Sequence, residues 1–158
     1  MSSPTDTRSL DDLYRDLILD HARDPRNFRR LENATHSAEG INPLCGDKLH
    51  VYLTVKPDNT VAEIAFEGSG CAISMASASL LTETVGNLSI AQAEDCVSQI
   101  TQRLRQDSNP EAGSVAVDMS NLRALDGVRK YPSRVKCATL AWQTLHAALQ
   151  QQSVATTE

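Results

Sequence analysis

The sequence predicts an α+β fold, a small antiparallel β-sheet of about three strands with helices packed on it. Three observations carry this. Residues 47–56 alternate apolar Leu49, Val51, Leu53 and Val55 with Lys48, His50, Tyr52 and Thr54, the period of a half-buried strand. Residues 61–67 return with Ala62, Ile64 and Phe66 on one face after the turn Pro57-Asp58-Asn59-Thr60, so the pair reads as an antiparallel hairpin. The remaining long segments carry helical signals, and a hairpin with one buried face needs helices over it.

Residues 1–8 are polar and expected to be disordered. Ser9-Leu10-Asp11-Asp12 is a variant capping box, and Leu10, Leu13, Tyr14, Leu17, Ile18 and His21 follow at amphipathic helical spacing. Asp24-Pro25 ends that helix, because the residue before proline avoids helical torsions. Arg26, Arg29 and Arg30 read as a solvated basic face. Residues 34–41 are expected to supply the first strand. Gly68-Ser69-Gly70 breaks the third, and residues 71–85 form a helix crowded with Ala72, Ser74, Ala76, Ser77, Ala78 and Ser79. Such small side chains permit close approach of another element. Gly86 is expected at the C′ position.

Ser89 and Gln92 make the next capping box, opening a helix with Ile90, Ala93, Val97, Ile100 and Leu104 on one face. Residues 106–120 are polar and rich in breakers, a flexible connection, with a short helical turn at 122–125. Pro132-Ser133 starts the last helix, to about Gln151, whose buried face is Val135, Ala138, Ala141, Trp142, Leu145 and Leu149. Residues 9–151 are expected to form a single domain and residues 152–158 a frayed tail.

Composition excludes several classes. A net charge of −5 argues against nucleic acid. No apolar run reaches the roughly 18 residues that span a bilayer, and the N-terminal residues lack a signal-peptide core. The chain is expected to be cytoplasmic, with no membrane partner. Four cysteines in 158 residues suit metal binding or catalysis better than a disulfide framework.

Cys45, Cys71 and Cys137 each sit where a loop meets a predicted strand or helix. Cys71 and Cys137 fall in predicted first turns, where free N–H groups favour an anion, and Arg134 and Lys136 flank Cys137 with positive charge. Gly46 lets Asp47 fold back toward the same centre as Cys45. Three thiolates and a carboxylate suit tetrahedral Zn²⁺, yet thiolates also hold iron–sulfur clusters. The spacings are not those of a zinc ribbon, so inert buried cysteines stay open as a reading. Cys96, midway along a helix, is assigned to packing. His21 reads as a capping or core residue; His36, His50 and His146 form no ligand-like cluster.

Taken together, three stretches carry a resemblance. Asn42-Pro43-Leu44-Cys45-Gly46-Asp47, Phe66-Glu67-Gly68-Ser69-Gly70-Cys71 with the helix that follows, and Arg134-Val135-Lys136-Cys137-Ala138-Thr139-Leu140-Ala141-Trp142 resemble the cysteine motifs of the IscU/NifU N-terminal superfamily of iron–sulfur assembly proteins. The SufU branch is the most similar. Lys136 stands where IscU-like scaffolds have histidine, and residues 106–126 fit the insertion of SufU-like proteins. The resemblance implies a zinc-dependent sulfur acceptor, taking persulfide sulfur from a SufS-type pyridoxal-phosphate cysteine desulfurase onto Cys45 and serving downstream SUF components. It implies Cys45, Asp47, Cys71 and Cys137 as zinc ligands and Arg134 as an assistant in ligand exchange. The alternatives are a scaffold building a transient [2Fe–2S] cluster on Cys45, Cys71 and Cys137, and a binding module with purely structural zinc.

Overall fold

The computed structural model describes residues 10–105 and 120–156. Its elements run α1 (Leu10–Arg23), β1 (His36–Asn42), β2 (Asp47–Val55), β3 (Val61–Ser69), α2 (Ala72–Val85), α3 (Ile90–Arg105), a 3-10 helix (Ser120–Lys130), α4 (Pro132–Leu149) and β4 (Val154–Thr156). The expected disorder of residues 1–8, the capping serine Ser9 and the 106–119 part of the connection lie outside the described residues. No helix among the described residues is long and apolar enough to cross a membrane.

The α+β expectation holds, with four strands in place of about three. The order is β3-β2-β1-β4, with β1–β2 and β2–β3 antiparallel and β4 parallel to β1. The fourth strand corrects the frayed tail, since Val154, Ala155 and Thr156 pair with Glu39, Gly40 and Ile41. Backbone groups at the open edge of β1 need partners, and the chain after α4 supplies them.

The hairpin turn forms as expected around Asn59, whose φ is 65° and whose N–H donates to the Lys56 carbonyl at 2.9 Å. β3 continues through Gly68 and Ser69, which pair with Leu49 and Lys48; it does not break there. Gly68 takes a φ of 149°, and a Cβ on it would meet the Lys48 carbonyl. Only a residue without a side chain fits that rung.

The inner face of the sheet presents Leu49, Val51, Leu53, Ile64 and Phe66 to Leu140, Ala141, Trp142 and Leu145 of α4 and to Leu80 and Leu81 of α2. A smaller cluster of Leu31, Tyr52 and Ala65 closes the opposite face. Desolvation and the Glu67 hydrogen bond push the Tyr52 phenol up to about 12.

The small residues of α2 do what their size allows. Ser77 Oγ donates to the Ala138 carbonyl at 2.6 Å and receives the Trp142 indole N–H at 3.1 Å. On its other side, Ser79 Oγ lies 2.7 Å from His21 Nδ1 and accepts the Arg26 N–H at 2.8 Å. The predicted Ser89–Gln92 capping box is reciprocal, at 3.0 and 3.1 Å. After α2 the left-handed residue is Asn87, with φ of 70°. The predicted Gly86 keeps a φ of −54°. The short turn expected at 122–125 is a longer 3-10 helix. Of the Arg26-Arg29-Arg30 patch, Arg26 pairs with Asp20 at 2.6 Å and Arg29 with Glu63 at 3.4 Å.

His21 is 2% exposed. Burial, then the Arg26 charge, lower its pKa against the opposing pull of Glu83 and Asp20. The neutral ring therefore contributes stability that is present above the unfolded value and lost as pH falls below it. Urea midpoints measured from about pH 7 down to about pH 5 should decline, and the decline should be shallower in His21→Asn.

Candidate metal centre

The centre forms at one end of the sheet, where three separate chain segments meet. Asn42 and Asp47 face each other as the last residue pair of the β1–β2 ladder. The loop between them, residues 43–46, carries Cys45 outward. Gly46 has a φ of 72°, a left-handed conformation that side chains rarely adopt. Cys45 is exposed, and Leu44 beside it is 65% exposed. Asp47 points inward at the start of β2 and is 1% exposed.

Cys71 is the N-cap of α2, one position before the first turn where the sequence reading puts it, and the Ser74 N–H donates to its sulfur at 3.5 Å. The dipole argument applies to it directly. Cys137 lies deeper than the expected first turn, since α4 begins at Pro132. Its Sγ is 3.7 Å from the Ser133 carbonyl, four residues back, so no free helix N–H serves it.

These residues converge. Ligand atoms of Cys45, Asp47 and Cys137 all lie within 4.8 Å of one another. The Cys45 and Cys137 sulfurs are 3.3 Å apart, and Cys71 Sγ is 3.9 Å from Asp47 Oδ2. Four donors around a tetrahedral zinc stand roughly 3.3–3.8 Å from one another, given its bond lengths. The donor types suit such an ion, and Cys45, Asp47 and Cys137 are close enough to share one. Cys71 lies just outside the tight group of three and reaches it through Asp47.

Both oxygens of Asp47 are held. The Cys71 N–H donates to Oδ1 at 2.8 Å, and the Asn42 amide donates to Oδ2 at 3.1 Å. The same Asn42 Nδ2 lies 3.5 Å from Cys137 Sγ. Burial first, then hydrogen bonds that the thiol donates to the neighbouring Cys45, Asp47 and Cys71, push the Cys137 thiol far up.

Gly70 makes room for this arrangement. A Cβ there would sit 2.5 Å from both Asp47 Oδ1 and Ser74 Oγ. Gly70→Ala should therefore displace the carboxylate, lowering metal content about tenfold while the far side of the fold keeps its far-UV circular dichroism.

Arg134 and Lys136 do not contact the donors among the described residues. The Arg134 guanidinium lies 5.7 Å over the Tyr131 ring and lines a groove beside Ala72 and Ile73. Lys136 lines a separate cavity with Val135 and Thr139. Cys96 is fully buried, and desolvation raises its thiol to about 11, as packing implies. His50 stacks on Tyr52, with ring centroids 4.4 Å apart, and His146 lies 2.8 Å from Glu94; neither joins the centre. Asn42 is named by the sequence as part of the first cysteine motif but given no role there; its contacts with Asp47 and Cys137 appear only in the fold.

The α+β domain thus gathers three thiols and a buried carboxylate at one end of its sheet, and Cys45, Asp47 and Cys137 among them form a group that could hold a metal ion. The family model described as the NifU-like N-terminal domain matches residues 13–154. The zinc-dependent sulfurtransferase SufU of Bacillus subtilis (strain 168) is 41% identical over 138 residues, covering 87% of this chain and 89% of that protein. The iron–sulfur cluster assembly scaffold protein IscU of Thermotoga maritima is 35% identical over 139 residues, covering 88% of this chain and 94% of its own. A crystal structure described as an iron–sulfur cluster assembly scaffold protein for the SUF system, from Fervidobacterium islandicum AW-1, superposes with a TM-score of 0.76 at 29% identity, covering 89% of this chain and 99% of that one. The chain belongs to the NifU-like N-terminal domain family.

Proposed function

We propose that this chain serves iron–sulfur cluster assembly as a zinc-dependent sulfur acceptor, with Cys45, Asp47, Cys71 and Cys137 as the zinc ligands. The observation that carries the reading is an asymmetry of access. Cys45 is exposed at the tip of a loop, whereas Asp47 and Cys137 are buried and Cys71 is half-buried. One sulfur of the set is presented outward and the rest are anchored. The similarity to a zinc-dependent sulfurtransferase supports the same reading.

Zinc held by these donors would supply the positive charge that keeps clustered thiols deprotonated at neutral pH. The chain's own residues do the rest. The Cys45 thiolate attacks the outer sulfur of a persulfide on a partner's cysteine. A sulfur–sulfur bond forms at Cys45, the partner's sulfur–sulfur bond breaks, and the partner's cysteine leaves as a thiolate. Asp47, pinned through both oxygens, and Cys137, deep in α4, hold the centre while this exchange takes place. The donor of the sulfur is a pyridoxal-phosphate cysteine desulfurase of the SufS type, and downstream SUF components receive it. Arg134, which lines a groove with Ala72 and Ile73 at the start of α2, would assist ligand exchange by offsetting negative charge when Cys45 is drawn outward. Four free cysteines suit work in the reducing cytoplasm.

A second reading has its own observation, the similarity to a protein named as an IscU scaffold. On it, Cys45, Cys71 and Cys137 hold a transient [2Fe–2S] cluster. Metal analysis separates the two. Protein purified without added metal should carry about one zinc per chain and be colourless. Iron with thiolate-to-iron absorbance would replace the acceptor reading with the scaffold.

A further inference from the structure

Asn42 lies under the centre and is fully buried. Its amide nitrogen touches two members of the donor set at once, Asp47 Oδ2 at 3.1 Å and Cys137 Sγ at 3.5 Å. Its Oδ1 is the one buried side-chain polar atom without a partner among the described residues. Turning the amide over does not help, since Oδ1 would then face a carboxylate that can only accept. A residue selected for packing would not leave a buried acceptor orphaned, because each such group lowers stability. What Asn42 achieves must lie at its nitrogen end.

We propose that Asn42 is a positioning residue that tunes the metal centre from beneath, with one amide group setting both the orientation of Asp47 and the donor strength of the Cys137 sulfur. This inference rests on the metal reading above. Two N–H donors hold the carboxylate, from the Cys71 backbone on one oxygen and from Asn42 on the other. Removing the second frees Oδ2 to rotate. At Cys137 the same amide stabilises negative charge on sulfur in a site that otherwise offers burial and neighbouring anions. The hairpin register enforces the arrangement, because Asn42 and Asp47 are cross-strand partners and stand together on whichever face Asp47 takes.

The test uses the full-length chain, stripped of metal and loaded with cobalt(II), whose thiolate-to-metal charge-transfer band reports on the sulfurs. Asn42→Leu keeps the volume and removes every polar atom. Asn42→Asp keeps the shape and exchanges the donor for an acceptor facing Asp47 and Cys137. Cobalt affinity by chelator competition should fall about 10-fold to 100-fold in both, as loss of outer-sphere support does, and further in Asn42→Asp. In Asn42→Leu the charge-transfer band should move to lower energy, because a sulfur without its N–H donor holds its electrons less tightly. Stability of the metal-free protein should change little in Asn42→Leu, since the orphaned acceptor is gone while the buried Asp47 Oδ2 loses its amide donor, two effects of opposite sign. An unshifted band with wild-type affinity in both variants overturns the inference. So does a metal-free Asn42→Leu chain that unfolds while Asn42→Asp binds cobalt like wild type, since the amide would then be structural. Wild-type protein that takes up no cobalt overturns the metal reading, and this inference with it.

Discussion

Cys45→Ala should reduce stimulation of a cysteine desulfurase to the level seen without this protein, and should abolish the mass gain of one sulfur atom on the chain after incubation with the desulfurase and cysteine. Its effect on the fold should be small. Cys45 is exposed on a loop, and surface substitutions usually change stability by no more than about 0.5 kcal/mol. Urea unfolding of the metal-free variant should therefore overlay the wild type. The separation matters, because a loss of activity with unchanged stability ties Cys45 to sulfur transfer and not to folding. A variant that still stimulates the desulfurase would remove the acceptor role from Cys45. It would leave Cys71, the half-buried thiol at the N-terminus of α2, as the next sulfur to examine.

Asp47→Ala should have the opposite profile, a loss of both metal and stability. The carboxylate accepts the Cys71 N–H and the Asn42 amide in a site that is almost fully closed to water. Truncation leaves a backbone donor without a partner and loosens the amide beside it, at a cost of about 1–3 kcal/mol. Zinc content should fall at least about tenfold. Urea unfolding with chelator present isolates the first effect, and metal analysis after desalting isolates the second. Unchanged stability in chelator would mean that water replaces the carboxylate and that Asp47 is less enclosed than its burial indicates.

Much of the architecture was legible because it depends on local pattern. Alternation over residues 47–55 and 61–66 marks the hairpin, and the Ser89–Gln92 box marks a helix start through a few residues' own chemistry. The three cysteine loops were legible as a group because each sits at a junction between elements. β4 was not legible. Three residues with no side-chain periodicity join a sheet through backbone pairing to β1, more than a hundred residues earlier, and nothing in Val154-Ala155-Thr156 announces it. The depth of Cys137 was missed for a related reason: a proline at the start of α4 fixes where the helix begins, but not which turn reaches the other thiols. The role of Asn42 was missed because it exists only once the register sets that residue opposite Asp47. Gly68 reads as a breaker, yet a missing side chain can equally continue a ladder where a neighbouring backbone crowds the rung.

Ser77 joins the helix capped by Cys71 to the helix that contains Cys137, through the Ala138 carbonyl and the Trp142 indole. The separation of those two sulfurs is therefore written into the core before any ion arrives. Cys45, by contrast, is carried on the exposed segment 43–46 outside the helices. Affinity and exchange are thereby assigned to different parts of the chain. On the proposed function, the helices would determine how tightly the centre grips, and the loop how readily one sulfur is handed over.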